Sequence, residues 1–180
     1  MKPIDFYSYQ CGVIDCFNEM IRAGLKKVAF SHPTSSMEER DALLPFSREI
    51  CRQYGTCFCP IDDPLLTDLF PVSMNKGTYH IIYWKKEEDW REYCRIKSDK
   101  EQLIRQNAYT GEARTEIAYR LGRLLSYPED GIAQLIQANQ ELEYNNNQPE
   151  LSGCFFFSLL FLSWGKERKS KFLFLFLLNR

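Results

Sequence analysis

The chain contains only two histidines, His32 and His80, among its 180 residues. Ser-His-Asp and Cys-His enzymes need a histidine beside the nucleophile, so only these two positions are available for that chemistry. His80 lies inside the apolar run TYHIIYW, where we expect it to pack against the core. The G-x-S-x-G sequence that presents a nucleophilic serine is also missing. The sequence therefore gives little support to a nucleophilic hydrolase.

The seven cysteines lack the C-x-x-C spacing that is typical of zinc and iron–sulfur sites. Cys57 and Cys59 would share one face of a strand, but no second pair of this kind accompanies them. We therefore predict no metal site. The odd number of cysteines and the lack of a secretory signal at the N-terminus predict free thiols in a reducing, cytoplasmic compartment. A Gly-rich phosphate loop is also missing, so the sequence leaves any cofactor unidentified.

Neither of the two long apolar runs approaches the ~20 residues that a transmembrane helix needs. The runs are CFFFSLLFLSW at 154–164 and FLFLFLL at 172–178, and the charged segment GKERKSK separates them. Neither run has a helical or an alternating period. Three interpretations of the apolar and basic tail 151–180 stay open. It is a tail that binds a membrane surface or a partner protein, a β-hairpin added to the sheet, or a segment produced by a reading-frame error.

Charge is unevenly distributed along the chain. Residues 151–180 carry a net charge of +4, whereas residues 1–150 carry −5, for a total of −1. An acidic body lacks the electrostatic footprint of a nucleic-acid-binding protein, so no nucleic-acid partner is predicted. A local basic patch remains compatible with this balance.

The pattern of apolar residues predicts one α/β domain over 1–143, followed by a polar linker at 144–150. Short apolar, β-branched runs predict strands near 27–31, 56–61 and 78–84, and amphipathic segments predict helices between and after them. Such alternation favours a small three-stranded parallel or mixed sheet with flanking helices. The pattern after the third strand predicts a helical C-terminal third.

The loop SHPTSS follows the first predicted strand and precedes a helix. His32, Thr34, Ser35 and Ser36 supply an imidazole and three hydroxyls at this point. In open α/β sheets, ligands bind at the carboxyl ends of strands, and free N–H groups at a helix start suit an anion. A capped turn with an exposed histidine explains the same residues without any ligand. We predict these four residues as ligand-binding.

Asp62 and Asp63 follow the second predicted strand, where Asp-Pro predicts the start of another helix. Two adjacent carboxylates suit a cation or a general base, although an N-cap is the simpler explanation, because Asp-Pro commonly starts a helix. If the first two strands are adjacent and parallel, both loops lie at the same end of the sheet. Asp62 and Asp63 therefore complete the predicted site.

Together these features predict a soluble domain that binds an anionic small molecule, bearing phosphate or carboxylate, at the strand-end loops. Whether the protein catalyses a reaction stays open. The alternative is a non-catalytic interaction or regulatory module that contacts a partner protein through the helical face of residues 87–143 or through the apolar tail. A pocket between the loops would favour the first function, and an exposed apolar patch on the helices would favour the second.

Overall fold

The computed structural model of the chain describes residues 5–139. The predicted linker at 144–150 and the tail at 151–180 lie outside these residues, and so does the end of the predicted domain. The described part contains three strands, β1 (Val28–Phe30), β2 (Cys57–Ile61) and β3 (His80–Trp84). Its helices are α1 (Phe6–Arg22), α2 (Met37–Asp41), α3 (Leu44–Tyr54), α4 (Val72–Asn75), α5 (Glu87–Arg105), α6 (Gly111–Leu124) and α7 (Glu129–Ala138).

The three strands form an antiparallel sheet in the order β1-β3-β2. Ile82 of the central strand pairs with Phe30 on one side and with Cys59 on the other. The prediction of a parallel or mixed sheet is therefore wrong. Of the predicted helical C-terminal third, the described residues include α6 and α7 and end at residue 139, so that prediction stays open.

The direction of the strands explains the error. The crossover from β1 to β2 through α2 and α3 leaves these two strands pointing the same way, as expected for a β-α-β unit. They are not neighbours, because β3 lies between them and runs in the opposite direction. The loops after β1 and β2 nevertheless leave the same end of the sheet. We call these loops, 31–36 and 62–68, the rim.

Helices cover both faces of the sheet, so all five residues of β3 are buried. On one face, Ile81 and Tyr83 pack with Ile14 and Ile21 of α1 and with Ile50 of α3. On the other face, Ile82 and Trp84 pack with residues of α5 and α6, namely Tyr93, Ile96, Ile117 and Leu124. Alternating side chains of one strand thus serve two cores, and the domain has three layers.

Two prolines near possible helix starts behave differently. Pro45 lies in the first turn of α3, where its missing N–H costs no helical hydrogen bond. Pro64 does not begin a helix, since residues 62–70 are irregular and the next helix is α4. The prediction that Asp62 and Asp63 cap a helix is therefore wrong.

Three further observations concern membrane spans, cysteines and metal ligands. Within residues 5–139, no helix is long and apolar enough to cross a membrane. The six cysteines of this part are free, and Cys154 lies outside it. Among the described side chains, no group of three or more His, Cys, Asp or Glu residues has a geometry that could hold a metal ion.

Candidate functional site

The hydroxyls of the first rim loop form local hydrogen bonds. Thr34 pairs with Tyr79 through the backbone, and its Oγ1 lies 3.1 Å from the carbonyl oxygens of Tyr79 and Ser36. Ser36 caps α2, as the capping pattern predicts, by accepting a hydrogen bond from the N–H of Glu39. Ser35 donates to the Glu39 carboxylate at 2.7 Å. These three hydroxyls therefore stabilise the loop and the start of α2.

His32 packs against Tyr9 of α1. Its Nε2 lies 3.2 Å from the Tyr9 hydroxyl, and the two ring centroids are 5.4 Å apart. Burial lowers the pKa of His32 below its ordinary value. The imidazole is therefore neutral at pH 7, so it brings no positive charge to the rim.

The two rim aspartates are exposed, and each has a cation of the protein as its partner. Asp62 pairs with Arg40, which is only 5% exposed and connects α2 to the second rim loop. Asp63 receives Lys97 from α5, whose Nζ lies 2.9 Å from its carbonyl oxygen and 3.0 Å from its carboxylate. The two rim loops thus lie at the same end of the sheet. Their aspartates are already paired with cations of the protein. That these residues bind a ligand stays a prediction.

A cavity of about 90 Å³ lies next to the rim, along the edge strand β1. We call it the β1 pocket. Pro33 from the first rim loop and Pro64 and Leu65 from the second contribute to its lining, whereas the six predicted site residues do not. Its apolar wall comes from both faces of the sheet and consists mainly of Phe17, Ala29, Phe30, Phe70, Leu121 and Leu125.

Lys26 is the cation of the β1 pocket. Its Nζ donates to the carbonyl oxygen of Leu125 at 2.8 Å, which caps the C-terminal end of α6. The ammonium lies 5.8 Å from the ring centroid of Phe17 and 5.1 Å from that of Tyr127. Burial lowers the pKa of Lys26 to about 8, and Cys16 offsets a small part of this effect. No carboxylate within residues 5–139 pairs with it.

His80 is the second buried ionisable group that lines this pocket. It is 5% exposed, and its Nε2 lies 2.8 Å from Oγ1 of Thr78. Its Nδ1 is buried and has no hydrogen-bond partner of good geometry among the described residues. Burial lowers the pKa of His80 to about 4, although the backbone of Ser31 acts in the opposite direction. His80 is therefore neutral at pH 7 and offers a polar atom to the pocket.

A buried ionic cluster holds the segment that closes the pocket. Arg114 of α6 pairs with Asp68 at 2.5 Å. Lys100 of α5 donates to the carbonyl oxygen of Leu66 at 2.6 Å and lies 5.3 Å from the ring centroid of Tyr109. Both cations thus bind residues of the irregular 62–70 segment. This explains how the segment keeps a fixed path without secondary structure.

The helical face of residues 87–143 offers the alternative function little support where it is described. Ile104, at 39% exposure, is its one large apolar side chain with substantial exposure up to residue 139. The other exposed surface of α5 and α6 is mostly charged, with short-range pairs such as Arg95 with Glu92 and Arg105 with Glu101. Charged helical faces of this kind are typical of solvated surface.

Comparison of the chain with protein-family models, with curated proteins and with solved structures found no significant match. Its function must therefore be inferred from its own residues.

Sequence reasoning missed Lys26 altogether. The local sequence GLKKV contains two adjacent lysines, and nothing local distinguishes the half-buried Lys26 from the exposed Lys27. A weak signal exists, since Lys26 lies two residues after the helix-ending Gly24 and two residues before the buried strand β1, and is therefore close to the core. The partner that fixes Lys26, Leu125, lies 99 residues away in sequence.

Proposed function

We propose that the protein binds a small carboxylate in the β1 pocket, with the carboxylate at Lys26 and a short apolar body against the aromatic and aliphatic wall. The observation that carries this proposal is a half-buried ammonium without a counter-ion among the described residues. Charges that are partly removed from water are normally paired, because desolvation disfavours an isolated charge. An anionic ligand supplies the missing partner of Lys26.

The size of the cavity sets the size of the ligand. A volume of about 90 Å³ is well below the 300–1,000 Å³ of pockets for drug-sized molecules. Since a water molecule occupies about 30 Å³ of liquid, the pocket has room for a ligand of roughly three to five non-hydrogen atoms. Short carboxylic acids have this size, and nucleotides are far too large.

The charge of the pocket supports a carboxylate over a phosphate group. Lys26 is the one cation in the lining, and it already donates one of its three N–H bonds to Leu125. A doubly charged phosphate needs more donors than remain here, whereas a carboxylate carries one charge. Ser31, Asn75 and His80 add polar atoms that suit a hydroxyl or carbonyl oxygen on the ligand.

The test is thermal unfolding with a series of acids from acetate to hexanoate, with sodium chloride at equal ionic strength as the reference. A ligand at ten times its Kd should stabilise the fold by about 1.4 kcal/mol, which raises Tm by roughly 4 °C. We expect this shift for acetate or propionate and a smaller one for hexanoate, which exceeds the pocket.

The variant Lys26→Met removes the ammonium and should abolish the shift, whereas Lys27→Met, which removes the exposed neighbouring lysine, should preserve it. Lys26→Met should remain folded, because it replaces a desolvated cation by an apolar side chain of similar length. Equal shifts in wild type and Lys26→Met, or no shift with any acid, would contradict the proposal.

Affinity should also depend on pH. A bound carboxylate favours the protonated form of Lys26, so raising the pH through its pKa of about 8 removes the charge that the ligand needs. We expect Kd to increase about tenfold for each pH unit above that value. Isothermal titration calorimetry at pH 7 and pH 9.5 measures this change, and a constant Kd would show that Lys26 is not the anion's partner.

A further inference from the structure

A second and larger concavity lies at the end of the sheet opposite the rim, where β1 begins and β3 ends. It has a volume of about 650 Å³ and lies between the end of α1, the segment before β1, the start of α5 and one side of α6. We call it the basic cleft. Its cationic residues are Arg22, Lys26, Lys27, Lys85, Lys86, Arg120 and Arg123.

The cations of the cleft fall into two groups. The first is already neutralised, since Arg120 pairs with Glu92 and Asp99, and Arg123 pairs with carboxylates of α6 and α7. These two arginines are fixed in place by their partners. They form one wall of the cleft and leave little charge for a ligand.

The second group consists of exposed lysines with weak or no ion pairs. Lys27 and Lys85 form no ion pair within residues 5–139, and Lys86 lies 3.6 Å from Glu88 with both side chains exposed. Lys27 and Lys86 lower the pKa of Asp89, which burial raises more strongly. Three lysines from two chain segments therefore line one opening, and nearby carboxylates balance their positive charge only in part.

This concentration of positive charge contrasts with the rest of the body, because residues 1–150 carry a net charge of −5. Apart from the paired Arg120, Arg123 and Glu92, five basic side chains line the cleft against Glu88 and Asp89. Like charges brought together on a surface repel one another, and an anion between them relieves this repulsion. The acidic surroundings also repel any long polyanion that extends beyond the cleft, so they favour a compact ligand.

We propose that the basic cleft binds a small molecule that carries two or more phosphate groups, held mainly by Lys27, Lys85 and Lys86. Lysine is a point charge that suits phosphate oxygens without demanding a fixed geometry. A volume of about 650 Å³ lies within the range of small-molecule sites and accommodates a phosphorylated metabolite. This site is distinct from the β1 pocket, although Lys26 contributes to the lining of both.

The test uses the full chain and tripolyphosphate as the probe, with Kd measured by isothermal titration calorimetry at low and at physiological ionic strength. The double variant Lys27→Glu/Lys85→Glu should weaken binding by about tenfold or more. The matched control Lys76→Glu/Arg105→Glu makes the same change of charge outside the cleft and should change Kd by less than about twofold. Lys27→Met/Lys85→Met, a milder pair, should give an intermediate loss if the glutamate variant unfolds.

Equal weakening by the cleft variant and the control would overturn the proposal, because it would show only a general effect of net charge. Absence of tripolyphosphate binding to the wild type would overturn it as well. Tighter binding of a single-stranded oligonucleotide than of tripolyphosphate would make the cleft a nucleic-acid surface instead. The propionate shift should persist in the Lys27→Glu/Lys85→Glu variant, so failure at one site is distinguishable from failure at the other.

Discussion

The rim and the basic cleft lie at opposite ends of one small sheet, and they use their polar residues differently. At the rim, Ser36 caps a helix, Asp62 pairs with Arg40 and Asp63 pairs with Lys97. In the cleft, Lys27 and Lys85 have no ion pair among the described residues. Polar residues with partners within the protein stabilise the fold, whereas charged residues gathered without partners indicate a place for a ligand. Polar composition alone does not distinguish these two cases.

Substitution of Arg40 should produce the largest change in stability. Its side chain is 5% exposed, pairs with Asp41 and Asp62, and lies over the ring of Tyr79. Arg40→Ala should lower the free energy of unfolding by about 3 kcal/mol, because it removes both the packing of this side chain and the link between α2 and the second rim loop. Urea unfolding measures this loss. Asp62→Asn, at the exposed end of the same pair, is the control and should cost less than about 1 kcal/mol.

Acid should destabilise the domain through His80. Its pKa is about 4 in the folded protein and about 6.5 in the unfolded chain, so the unfolded chain takes up its proton first as the pH falls. Stability is therefore complete above pH 6.5 and decreases by roughly 2–3 kcal/mol between pH 6.5 and 4. His32, whose pKa is also lowered, adds to this effect.

The variant His80→Gln should remove most of this pH dependence when the free energy of unfolding is measured across the same interval. The matched variant His32→Gln should remove a smaller part. If His80→Gln leaves the slope between pH 6.5 and 4 unchanged, the buried imidazole is not its source.

Removal of charge from the cleft should have the smallest effect on stability and thus sharpen the contrast with the rim. Lys27→Met/Lys85→Met should change the free energy of unfolding by less than about 0.5 kcal/mol, because both side chains are exposed and unpaired. A slight increase is expected, since repulsion between lysines decreases. A loss as large as that of Arg40→Ala would mean that these lysines have structural partners.

The sequence predicts the positions of all three strands and most helices, because these depend on local period and on residues such as Gly55, which ends α3 at φ 66°. It does not predict the order of the strands. The pairing of Ile82 with both Phe30 and Cys59 depends on contacts between distant segments. Alternation of helices and strands suggests that consecutive strands are adjacent and parallel. This does not hold here, because β3 lies between β1 and β2.

The candidate site was predictable only in part, for a similar physical reason. The loops after β1 and β2 do meet, and their prolines line one pocket. The expected helix at Pro64 does not form, and Lys97, 34 residues further along the chain, binds Asp63 there. The partial burial of Lys26 depends on Leu125 and Tyr127, which contact it but lie far from it in sequence. Local sequence carries no information about such contacts.

Lys26 lines both the β1 pocket and the basic cleft, so one side chain forms part of the wall of each. If both proposed anions bind, each should weaken the other, because each neutralises part of the positive field of the same ammonium. By linkage this negative cooperativity would be reciprocal, so a carboxylate would weaken the affinity for phosphate by the same factor as phosphate weakens the affinity for the carboxylate. A single lysine between two cavities would then couple the two proposed binding equilibria.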